Sequence, residues 1–224
     1  SYIVNTRDTY GTKIINLSIG SPANSSCRND PLCRAVVEAM NKGMVVVAAA
    51  GNSGPGTSTI LSPGINPNVI TVGASNDNRT IDIADDTIAS FSSRGPTIEG
   101  VPKPDLVAPG VNINSLSNLK LDGYRSSSGT SMAAPFISGT VALMLEKNKS
   151  LSSKEIRKKL MDSCVSLNNN KESQGAGLVN LEKLFYEKEV EKKEDIVRRK
   201  PPKKEGDTFE LMLVLLLVMV LLSK

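Results

Sequence analysis

The sequence predicts an α/β fold in three layers, a parallel sheet with helices on both faces. Three observations predict it. The runs IINLSI (14–19), MVVVAAA (44–50) and VITVGAS (69–75) are continuously apolar rather than alternating, the pattern of strands buried on both faces. The segment PLCRAVVEAMNK (31–42) separates the first two runs and carries helix signals, which implies parallel pairing of the strands around it. Residues 131–148 are apolar almost all round, which predicts a helix buried in the middle of the domain.

Taken in order, the opening SYIVNTRDTYGTK has neither a starting methionine nor a charged leader before an apolar core, and it reads as the interior of a longer chain. The first strand ends at Gly20 and Pro22. The helix after it has Asp30 as N-cap, Pro31 at its first position and Gly43 as its stop. Residues 76–130 are rich in Gly, Pro, Ser, Asn and Asp, with short apolar pieces such as DLVA (105–108). They predict a long irregular region with brief strands, the kind of region that often carries sites. In the helix from Ser131, Pro135 is expected in the first turn, where a missing N–H costs little. A further helix is expected at 153–163, capped by Ser152 or Ser153, and a last one begins near Leu181 after QGAGLVN.

With 39% hydrophobic residues in 224, the chain can supply a core of its own. The net charge of +4 is small and interleaved, and only 4% of residues are aromatic, so nucleic acid is not an expected partner. Three cysteines make no disulfide framework. Cys27 and Cys33 are close enough to pair in an oxidising compartment, while C-x5-C without a histidine is no zinc signature. No metal ligand set and no cofactor motif is found, and the D-x-D-x-D-G spacing of a compact calcium loop is absent.

The chemistry lies in short loops. GTSMAAP (129–135) puts Ser131 at a helix amino terminus, where unpaired N–H groups and the helix dipole favour developing negative charge. Alone, Ser131 would read as an ordinary cap, and Asn52 in AGNSG as an ordinary turn residue. GTSMAAP, VVVAAAGNSGPG (45–56) and SFSSRGP…KPDLVAPG (90–110), in this order and spacing, resemble the carboxyl-terminal half of a subtilisin-like serine protease, from about Lys13 to Leu184. The resemblance implies a subtilisin-like fold present as an incomplete carboxyl-terminal portion, with residues 1–186 a partial peptidase domain. It implies serine endopeptidase activity on polypeptide substrates through an acyl-enzyme on Ser131, with the Asn52 amide in the oxyanion hole. It places substrate binding on Leu17, Ser18, Ile19 and Gly20, an edge that pairs with extended peptide. Ala49, Ala50 and Gly51 form the opposite wall, with Leu61 near the pocket floor. No cofactor is implied, beyond calcium in a full-length protein.

One departure bears on function. The family's aspartate and histidine lie upstream of these motifs, and this chain contains no histidine at all. Asp8, Asp105 and Asp122 have no motif context, and a carboxylate near pKa 4 is a feeble base for a serine hydroxyl. The expectation is a chain inactive alone whose partner is the missing amino-terminal half of the same domain; the alternative is a non-catalytic pseudoenzyme or peptide-binding fragment. Phe136 stands where many relatives carry a further, structural histidine.

Residues 187–208 are dominated by charge, include Pro201-Pro202 and read as a linker, and 209–224 as an apolar tail. Its twelve consecutive apolar residues, 211–222, would span about 18 Å as a helix, short of the roughly 30 Å hydrocarbon core, so the tail is a candidate membrane segment rather than a complete span. If inserted, the cluster Arg198, Arg199, Lys200, Lys203 and Lys204 keeps the domain on the cytoplasmic side. Intracellular bacterial relatives with similar CRNDPLCRAV and NPNVITVGA segments point the same way, an extracellular location being the alternative. A prediction follows from the tail: the expressed chain partitions with membranes in a carbonate wash, and a version ending near Glu187 does not. Equal solubility of the two contradicts it.

Overall fold

Helix signals and apolar runs become elements largely where the sequence places them. In the computed structural model, which describes residues 2–119 and 122–186, two single helical turns come first, α1 (Tyr2–Asn5) and α2 (Arg7–Tyr10), the second ending at a left-handed Gly11. Strand β1 (Ile14–Leu17) leads to α3 (Pro31–Asn41), where Asp30 Oδ1 accepts the Cys33 N–H and Pro31 opens the helix. Strands β2 (Val45–Ala49) and β3 (Ile70–Asn76) follow. The irregular region then contributes β4 (Thr87–Ile88), β5 (Leu106–Pro109) and a separate ribbon of β6 (Ile113–Leu116) with β7 (Tyr124–Ser127). The chain then forms α4 (Thr130–Lys147), α5 (Ser153–Ser163), α6 (Lys171–Gln174) and α7 (Leu181–Phe185). Ser152 caps α5 with a reciprocal capping box through Glu155.

Strands β1, β2, β3 and β5 pair in parallel in that order, with β4 antiparallel at the end of β3. Among the described residues β1 lies at the end of this sheet. Val46 and Ala48 of β2 pack with Val36 and Ala39 of α3 on one face. The period of two turns Val45, Val47 and Ala49 to the other face, where α4 lies along β1, β2, β3 and β5. The result is the expected three-layer α/β arrangement, within one compact unit of residues 1–184. The expected linker (187–208) and tail (209–224) lie outside the described residues.

Two expectations about α4 need correction. The helix begins at Thr130, so Pro135 is its sixth residue and lies in the second turn, where a proline does remove an intrahelical bond. Nor is α4 buried all round: Ala133, Ala134, Ile137 and Val141 face the sheet, while Phe136 (40%) and Leu143 (58%) are exposed on its other side. Among the described residues nothing covers that side.

Cys27 and Cys33 form a disulfide. Cys164 is a free thiol that burial pushes up to about 12, which makes it unreactive at neutral pH.

The charged residues of KPD are internal. Lys103 is wholly buried and Asp105 is 1% exposed. Asp105 Oδ2 accepts the Thr71 N–H and the Lys103 ammonium, each at 2.7 Å, and its Oδ1 pairs with Arg157. Lys103 Nζ also donates to Val69 O at 2.7 Å. This cluster ties the start of β3 to the start of β5 and to α5, and it removes Asp105 from any role as a base. Burial pushes Lys103 down from 10.5 to about 8, against the opposing pull of Asp105. Between about 8 and 10.5 the unfolded chain therefore holds a proton that the folded one has released, so this residue's contribution to stability rises with pH across that window. The predicted outcome is that the unfolding free energy of wild type relative to Lys103→Met, measured in urea, increases from neutral pH toward pH ~10. A pH-independent difference contradicts it.

Candidate active site

Ser131 is the second residue of α4, so its N–H has no carbonyl partner within the helix. The residue before the helix, Gly129, gives no side-chain cap. The Thr130 N–H is satisfied from outside instead, by Asn52 Oδ1 at 2.9 Å. The Thr130 hydroxyl donates to the same oxygen at 2.9 Å and accepts the Gly51 N–H at 3.2 Å.

These bonds settle the orientation of the Asn52 amide. A backbone N–H needs an acceptor, so the oxygen must face Thr130 and the nitrogen must face away. Among the described residues Asn52 Nδ2 makes no hydrogen bond, and the residue is exposed. A Cβ built on Gly129 would fall 3.3 Å from Asn52 Nδ2 and 3.7 Å from Ser131 N. The space that glycine leaves open is thus shared by two donors, the side-chain amide and the backbone N–H of the serine. Its φ of 155° also disfavours any other residue there.

The other side of the helix start is held by β1. Ser131 Oγ donates to Ser18 O at 3.3 Å, and Ser18 Oγ donates to Ser131 O at 3.0 Å. Ser131 O is the carbonyl that would accept the N–H of residue 135, and Pro135 has none. Sequence reasoning missed Ser18's side chain and Thr130 as parts of this arrangement; the proline four residues after the serine is the signal that could have found the first.

Of the expected substrate segments, Leu17 ends β1, and Ser18, Ile19 and Gly20 continue beyond it, Ile19 being 63% exposed. Ala49 ends β2, and Ala50 is wholly buried in a cluster with Cys33, Ile60 and Ile65. Leu61 lies between the two segments: a Cβ on Gly51 would meet its Cγ at 2.6 Å, and one on Gly20 its Cβ at 2.9 Å. Gly51 also has φ 112°, so close approach and backbone both require glycine.

No titratable side chain among the described residues hydrogen-bonds to Ser131. Nor is there a group of three or more His, Cys, Asp or Glu able to hold a metal ion among them. The acidic loop 77–86 uses its carboxylates internally, Asp77 on the Arg79 N–H and Asp82 on the Ala84 N–H. Burial, and then Asp77, Asp85 and Asp82, raise Asp86 above the usual carboxylate range. Among the described residues no helix is long and apolar enough to cross a membrane.

The sequence profile of the subtilase family (peptidase S8) matches residues 4–178. The chain is 46% identical to serine protease AprX of Bacillus subtilis (strain 168), over 75% of this chain and 42% of that protein. To subtilisin Savinase of Lederbergia lenta it is 40% identical, over 77% of this chain and 56% of that one. Among solved structures, sphericase superposes with a TM-score of 0.68 at 32% identity, over 80% of this chain and 61% of its own. The chain therefore spans about half the length of the curated relatives it matches. A family match across residues 4–178, joined to 46% identity with one relative and a superposition covering 80% of the chain, shows that the chain belongs to the subtilase family.

Proposed function

We propose that this chain supplies the nucleophile, the oxyanion donors and one side of the substrate cleft of a serine endopeptidase. The observation that carries the reading is the Asn52 amide, turned outward by Thr130 and sharing with the Ser131 N–H the space left by Gly129. In this reading Ser131 Oγ attacks the substrate carbonyl while its proton passes to a base. The carbonyl oxygen becomes an anion in the shared space, and the amine leaves with the transferred proton. Extended polypeptide lies along Leu17–Gly20, with Ala49–Gly51 opposite and Leu61 beneath.

The base is the part this chain lacks. With no histidine in 224 residues, the imidazole and its aspartate come from a segment of the same domain outside this chain, consistent with a span of about half the relatives. A non-catalytic peptide-binding fragment is the competing reading, and the missing histidine is what favours it. The Cys27–Cys33 bridge favours an oxidising compartment, hence the extracellular over the cytoplasmic location.

Two outcomes are expected. A fluorophosphonate probe leaves the 224-residue chain unlabelled and labels Ser131 once the chain is extended through the aspartate and histidine segments, with Ser131→Ala abolishing the signal. Comparable labelling of the short chain contradicts an external base; no labelling of either favours the binding fragment. In the extended enzyme, Asn52→Leu lowers turnover about 100- to 1,000-fold with little change in the Michaelis constant, the known cost of losing this donor in the same family. A raised Michaelis constant with unchanged turnover contradicts the assignment.

A further inference from the structure

Pro135 leaves a vacancy at the nucleophile itself. In an uninterrupted helix the N–H of residue 135 would close on the carbonyl of residue 131, and proline has no N–H to give. A half-buried carbonyl without a partner is costly, and here the missing donor is replaced from another element: Ser18 Oγ, 113 residues away in sequence, donates to Ser131 O at 3.0 Å. The replacement is itself braced. Asn16 Nδ2 donates to Ser18 Oγ at 3.1 Å, and Asn16 Oδ1 accepts the Ser138 hydroxyl at 2.9 Å. Ser131 and Ser138 are two turns apart on α4, so Asn16 and Ser18 strap the first turns of the helix to the end of β1.

We infer that Ser18, braced by Asn16, is a positioning residue that sets the attitude of Ser131 through the carbonyl orphaned by Pro135. The inference rests on the protease reading of Ser131. Asn52 holds the helix start from the β2 side through the Gly129–Thr130 peptide, whose N–H it accepts. This leaves rotation of the Ser131 residue toward or away from β1 open, and the Ser18 hydroxyl closes it. Ser18's carbonyl is a separate group, and replacing the side chain leaves it in place for main-chain pairing with peptide. Loss of the hydroxyl is thus expected to act on the chemical step and not on binding, since small displacements of a nucleophile slow attack steeply.

The test uses the complete protease. Ser18→Ala is expected to lower kcat and the rate of fluorophosphonate inactivation together, by about tenfold, with KM unchanged within twofold. Ser18→Thr, which keeps a hydroxyl, retains most of the activity. Asn16→Asp, which removes the donor to Ser18 Oγ while keeping the acceptor for Ser138, gives a smaller loss of the same kind. Pro135→Ala restores an N–H to Ser131 O, so in that background Ser18→Ala is expected to cost less than threefold, a non-additivity that a merely stabilising contact does not produce. Equal losses from Ser18→Ala with and without Pro135 overturn the inference, as does a rise in KM at constant kcat or a fall in melting temperature with kcat intact. A wild-type protease that neither labels nor cleaves overturns the protease reading, and this inference with it. If Ser18→Ala does not fold, the Asn16→Asp and Pro135→Ala pair reads the same coupling.

Discussion

The hydrogen bond from the Thr130 N–H to Asn52 Oδ1, 2.9 Å long, joins the first turn of α4 to the end of β2, and the site is organised around it. A helix whose preceding residue is glycine has no side chain of its own to cap it. Borrowing the cap from the strand end fixes the helix and the amide in one interaction: the oxygen is committed to Thr130, and the nitrogen has only the open side to face. The same glycine that cannot cap leaves a space beside that nitrogen and the Ser131 N–H. Structure and proposed chemistry are thus two consequences of one exchange of hydrogen bonds.

The sheet makes this exchange possible. Parallel strands bring the carboxyl ends of β1 and β2 to the same end of the sheet, the position where open α/β sheets commonly carry their sites. α4 crosses the sheet with its amino terminus at that end, so Asn52 approaches from one side and Ser18 from the other. Lys103, Asp105 and Arg157 do different work. They lock β3, β5 and α5 by buried charge and carry no part of the site, although a lysine depressed to about 8 could be mistaken for a functional group.

Much of the fold was legible because its strands are buried on both faces and its helices carry explicit caps. MVVVAAA and VITVGAS admit few other readings, and Asp30-Pro31 and Ser152 mark helix starts that the structure keeps. α1, α2 and α6 were not legible, being single turns of four residues with too short a period to show. Ser131 and Asn52 were named as candidates from motif resemblance, but the geometry between them was not legible. No spacing rule relates Asn52 to Thr130, 78 residues apart, and the direction of an amide is decided only by what surrounds it. Pro135 was misplaced because the first turn was counted too long: whether the helix starts at Ser131 or at Thr130, the N–H of residue 135 would close on Ser131 O, so the proline orphans that carbonyl in either case. Exposure of Phe136 and Leu143 was likewise invisible to a pattern that reports apolarity and not what covers it.

The central claim, that Asn52 and the Ser131 N–H together face the oxygen of a reacting carbonyl, is tested most directly by a crystal structure of the complete protease phosphonylated on Ser131. The account predicts the phosphonyl oxygen in the space beside Gly129, accepting from both Asn52 Nδ2 and Ser131 N at about 2.7–3.1 Å, with Asn52 Oδ1 still bound to Thr130. A phosphonyl oxygen turned out of that space, with the amide nitrogen bound elsewhere in the protein, contradicts it.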